Sequence, residues 1–215
     1  MKAPFNRTGI APRALVVVIA LCLAAAALSS LAPLAEAKKH GPHYKPFTRI
    51  MEVHWKVMST EQTEFDRQMA DAQALLDCME PLFGSDDSMD QAVLEACRTQ
   101  ASRDMGVLRL ETEQAIESYA TAVRKTSRST VGWFKPKYRR SVQDGWNDII
   151  RAHAQLWTGG YARLADMLEV LSKAQALSDV DPYYAYKEDA WRARTASARD
   201  FQRALDDLNE LRQTL

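Results

Sequence analysis

Glycine and proline are scarce, eight of each in 215 residues, and cysteine occurs only three times. So little turn chemistry leaves long uninterrupted polar-apolar stretches, which is the composition of a helical protein. Other absences narrow the chemistry. No CxxCH occurs, which excludes covalent c-type haem, and no HExxH occurs. None of the four histidines has a glutamate three residues before it, which removes the usual di-iron ligand set of helical bundles. Glycine-rich phosphate loops and serine-nucleophile motifs are absent too, so the chain reads as non-catalytic. The formal net charge is zero, which gives no global pull towards nucleic acid.

The N-terminus carries an address. Lys2, Arg7 and Arg13 precede an unbroken apolar run from Ala14 to Leu28, and Ala35-Glu36-Ala37 has the small-x-small pattern of a cleavage site. Residues 1–37 therefore read as a Sec-type signal peptide, and the mature chain is expected to start at Lys38, periplasmic or secreted. Only Ser29, Ser30 and Glu36 interrupt Ala14 to Ala37, so a retained anchor is the alternative. Removing residues 1–37 takes away three cations and one anion, leaving a net charge of −2. Cys22 leaves with the signal, and Cys78 with Cys97 then forms an even pair in an oxidising compartment, where a disulfide is expected.

Beyond a short extension, residues 38–47, one domain is expected over 48–215, an elongated all-α, up-down-up-down four-helix bundle with long coiled-coil-like helices. Its first helix enters near Pro46 and Thr48, ends at Pro81 and Gly84, and repeats Met51, Trp55, Met58, Gln62, Phe65, Met69, Ala72, Leu76 and Met79 at alternating spacings of four and three. The second starts after a Ser88 cap and runs to about Thr126, with Ala101, Met105, Leu108, Thr112, Ala115, Tyr119 and Ala122 inward. The third turns Val142, Trp146, Ile149, His153, Leu156, Gly160, Leu164, Met167 and Leu171 to the core, His153 being a hydrogen-bonded core histidine. The fourth follows Ser178-Asp179-Val180-Asp181-Pro182 and presents Trp191, Arg194, Ala198, Phe201, Leu205, Leu208 and Leu215. Gly159 and Gly160 inside helix three imply a kink or a close helix crossing.

Charge is segregated along the chain. Between Glu117 and Asp144 no acid occurs, yet Arg124, Lys125, Arg128, Lys135, Lys137, Arg139 and Arg140 do, interleaved with Trp133, Phe134 and Tyr138. Between Arg67 and Arg98 no cation occurs, against Asp71, Asp77, Glu80, Asp86, Asp87, Asp90 and Glu95, and Asp179 and Asp181 lie in a second cation-free tract. An up-down-up-down order puts the acidic tracts at one end and the basic connection at the other. The residues expected to meet a protein partner or anionic membrane surface are Arg128, Trp133, Phe134, Lys135, Lys137, Tyr138, Arg139 and Arg140, because cations meet phosphate while rings sit at headgroup depth. Two alternatives are an inhibitor or immunity-type protein acting through its acidic end, and Cu(II) or Ni(II) binding at a mature Lys38-Lys39-His40 terminus. The latter resembles the square-planar amino-terminal copper and nickel motif, with His43 as an accessory ligand.

Overall fold

The computed structural model describes residues 41–215. The signal segment and Lys38-Lys39-His40 therefore lie outside the described residues. Four long helical rods pack against one another, and no strand occurs among the described residues. Helix α1 is Tyr44–Met79, α2 is Ser88–Thr130, and the third rod joins α3 (Arg139–Gln155) through a π-helical turn (Leu156–Tyr161) to α4 (Ala162–Lys173). The last rod is α5, Asp181–Arg212. At 36, 43 and 32 residues, α1, α2 and α5 are each about 50–65 Å long at ~1.5 Å per residue.

Local chemistry sets the ends. Asp87, and not Ser88, caps α2, its carboxylate accepting from the amides of Met89 at 2.7 Å and Asp90 at 3.3 Å. Pro46 sits in the first turn of α1 and Pro182 in that of α5, where a missing amide hydrogen costs nothing. Asp179 accepts from the amides of Gln175 and Ala176, and these two bonds hold its carboxyl below the usual range.

The third rod packs on α2, α3 and α4 lie along α5, and α1 closes the arrangement against α2, α4 and α5. All nine inward positions expected of the third rod are buried. On α1 two of nine are not as expected. Trp55 is 54% exposed and Gln62 only half-buried, while His54 and Glu61 take the inward places. On α5, Trp191 is 38% exposed and Arg194 reaches across to Asp66 in two hydrogen bonds, 3.0 and 2.8 Å. Ala190 and Ser197 fill the core there.

The glycine pair marks a close crossing. A Cβ on Gly159 would lie 2.7 Å from the Ala193 Cβ, a contact that would push α5 away. At the entry to the π turn the Leu156 amide is shared between the Ala152 and His153 carbonyls, and Ser197 Oγ donates to the Ala152 carbonyl there at 2.7 Å.

Two groups of contacts identify the ends. At one, Phe47 meets the rings of Phe134 and Trp146 edge-on at 5.1 and 5.7 Å, Arg212 lies over the Tyr44 ring, and the Gly41 amide donates to Leu215 O at 3.0 Å. At the other, Tyr184 donates to Glu80 at 2.9 Å, and Arg98 donates to the Ala174 carbonyl at 2.7 Å.

Candidate functional site

The connection between α2 and α3 is built as two 3₁₀ turns, Val131–Trp133 and Pro136–Tyr138, around extended Phe134 and Lys135. Proline at 136 stops a continuous helix, and the Arg139 guanidinium secures the bend by donating Nε–H to Phe134 O at 3.0 Å. The loop drives its apolar ring inward. Phe134 is 2% exposed and stands edge-on to Phe47, so it caps the core and is not free to meet a partner. This corrects the expectation for Phe134. Trp133 is half-buried and stacks on His43 with centroids 4.8 Å apart. Tyr138 is half-buried beneath the Lys137 ammonium, 4.7 Å from its ring centre.

The cations behave differently. Arg124, Lys125, Arg128, Lys135, Lys137, Arg139 and Arg140 are all exposed, and none enters an ion pair among the described residues. On the rod surfaces, by contrast, Arg67, Arg109, Arg163, Arg192 and Arg194 each hold a carboxylate. A shallow groove next to this end, between α3 and α5, is lined by Asp144, Asp148, Asp207 and Glu210. The end is therefore basic on the loop and acidic on one flank.

Carboxylates at the opposite end are mostly occupied. Asp77 accepts from Gln73, Glu80 from Tyr184, Asp90 from Ser85, and Asp87 and Asp179 cap backbone amides. Asp71 and Glu95 pair with Arg67 and Arg98. Cys78 and Cys97 are thiols whose sulfurs lie 3.3 Å apart, longer than the ~2.05 Å of a disulfide. Burial, reinforced by the contact with Cys78, pushes the Cys97 thiol up to about 11.

The expected core histidine, His153, is buried, but its ring nitrogens make no hydrogen bond among the described residues, contrary to the expectation of a hydrogen-bonded one. It belongs to a polar cluster with His54 and Glu61, whose burial the sequence reading missed. His153 Nδ1 on α3 lies 2.8 Å from Glu61 Oε2 on α1, and both side chains are 1% exposed. The two groups approach this closely without aligned hydrogen-bond geometry. The His153 ring stacks on Tyr119 at 3.7 Å, and the Tyr119 hydroxyl lies 3.2 Å from His54 Nδ1. Tyr161, from the π turn, donates to the Glu61 carbonyl at 2.7 Å. Burial first, and the neighbouring His153 second, lower His54 to about 4, while burial next to Glu61 raises both tyrosines well above their ordinary range.

No group of three or more His, Cys, Asp or Glu among the described residues is placed to hold a metal. The sequence signal of the buried cluster was available. His54 and Glu61 fit the alternation from Met51 through Met58 to Phe65 as well as Trp55 and Gln62 do, and hydrophobicity alone favours the wrong pair.

No family model, curated protein or solved structure matches this chain. No helix among the described residues is long and apolar enough to cross a membrane.

Proposed function

We propose that this is an exported, non-catalytic protein that docks on an anionic partner or envelope surface through the end built by residues 128–140. In this reading the signal is removed after Ala37, and the four rods run up-down-up-down as an elongated, coiled-coil-like bundle. The end contacts above support that order. Cys78 and Cys97 close to a disulfide in the oxidising compartment, which constrains a loop of about 20 residues and contributes roughly 3 kcal/mol. Mass spectrometry of exported protein under non-reducing conditions should find the two linked, and two alkylatable thiols would refute it.

One observation carries the docking reading: seven exposed cations share one end and none of them is in an ion pair among the described residues. Like charges held together repel at separations within the ~8 Å Debye length of physiological salt, so the array costs stability and is not explained by the fold. At the acidic end Asp71 and Glu95 hold guanidinium groups, and Asp77, Glu80, Asp87, Asp90 and Asp179 are engaged in hydrogen bonds to neutral groups of the fold. An inhibitor acting through that end is the alternative reading, supported by the charge that those neutral partners leave in place.

Retention on a polyanionic matrix and on envelope extract tests this reading. Affinity is expected to fall steeply with salt, and Trp133→Ser should weaken binding further by an amount that salt does not change. Salt-independent retention would remove the cations from the account. Phe134 stays unchanged in these tests, since truncating a buried phenylalanine removes about 3–5 kcal/mol of stability.

A further inference from the structure

We infer that the docked surface is an anionic phospholipid bilayer, met end-on by the 128–140 end. This rests on the docking reading above and adds the identity of the surface.

The first argument is where the chain enters the fold. The Gly41 amide donates to Leu215 O at 3.0 Å, and a Cβ at position 41 would sit 1.9 Å from that oxygen, so only glycine permits the approach. Two residues on, His43 stacks on Trp133. The described chain therefore begins beside the basic loop. In sequence, Lys38 and Lys39 stand just before it and, beyond Ser29, the apolar run Ala14–Leu28. The twelve residues 29–40 reach at most about 40 Å. With the signal removed after Ala37, Lys38 and Lys39 add two more cations in sequence next to this end; with the apolar run retained as an anchor, this end is the part of the fold held closest to the lipid headgroups.

The second argument separates lipid from protein. Protein hot spots combine arginine with aromatic anchors that enter a desolvated pocket inside a polar rim. The large hydrophobic side chains that are exposed, such as Trp55, Met89, Leu110 and Trp191, all lie outside residues 128–140. At this end the rings are half-buried or covered, and what faces outward is cationic. Cations over a shallow layer of tryptophan and tyrosine suit phosphate headgroups. The Asp144, Asp148, Asp207 and Glu210 groove on one flank is repelled by the same surface, so the molecule tilts to lift that flank away.

Amide hydrogen exchange of the mature protein, residues 38–215, on vesicles, followed by mass spectrometry, tests this. Vesicles of phosphatidylcholine with phosphatidylglycerol should slow exchange across 131–138 and 41–45, whereas phosphatidylcholine alone should not. The variant with Arg128, Lys135, Lys137 and Arg140 all changed to Ser should bind the anionic vesicles on the order of a thousandfold more weakly. Equal slowing on both vesicle types, or slowing centred on residues 77–95, would overturn the end-on bilayer. So would absent vesicle binding. If retention on the polyanionic matrix persisted in that last case, docking would stand and its surface would be a protein or soluble polyanion.

Discussion

Replacing His153 with leucine is expected to lower the unfolding free energy by about 3–5 kcal/mol, because it strands the Glu61 carboxylate inside the bundle. Both side chains are 1% exposed, so water cannot take over the imidazole's place. Leucine keeps most of the volume, and the lost stacking on Tyr119 accounts for only about 0.5–1.5 kcal/mol of the effect. The double variant Glu61→Leu with His153→Leu removes the charge together with its partner and should recover most of that stability, since an apolar replacement of a buried pair is commonly neutral or better. Urea denaturation of the two single variants and the double variant measures the coupling. Additive losses, or a His153→Leu cost below about 1 kcal/mol, would mean that the 2.8 Å approach carries no interaction.

Acidification should destabilise the fold through His54, by about 3 kcal/mol between near-neutral pH and pH 4. The folded value, about 4, lies below the ordinary 6.5, so the unfolded chain binds the proton first as pH falls. His54 thus contributes stability that is present above pH 6.5 and lost as pH drops through 4. Its surroundings sharpen the effect. Tyr119 from α2, and Trp146 and His153 from α3, face the ring, and none of them offers a negative charge. Substituting His54→Phe should flatten the stability profile between pH 6.5 and 4 relative to the native chain. Parallel profiles for the two proteins would locate the acid sensitivity elsewhere.

The sequence made the third rod readable because its inward positions are nearly all apolar and its glycine pair falls where α5 comes within contact distance of the backbone. It misled on α1 and α5, where helix periodicity allows two neighbouring stripes and the bulkier apolar residue was preferred. Trp55 and Trp191 are exposed because the true stripes pass through His54 and Ala190, whose places were set by partners on other helices: Tyr119 and Trp146 around His54, and the π turn opposite α5. No local pattern reports such partners. The candidate site divided the same way. Exposure of the seven cations followed from charge segregation alone, whereas the burial of Phe134 depends on Phe47, 87 positions away in sequence, and could not be read from the loop. The Asp87 cap was displaced by one residue from the Ser88 expectation because either side chain satisfies the cap pattern, and the backbone extends at Asp87.

On the proposed reading the 128–140 cations serve docking and not the fold. One variant separates the two roles, Arg128, Lys135, Lys137 and Arg140 all to Ser, which spares Arg139 because its guanidinium secures the loop. Affinity for envelope membranes and unfolding free energy are determined in the same buffer. At about 1 kcal/mol for each cation at an anionic surface, binding should fall on the order of a thousandfold. The unfolding free energy should stay within about 1 kcal/mol of the native chain. Unchanged affinity, or affinity lost only in step with stability, would leave these cations without a docking role.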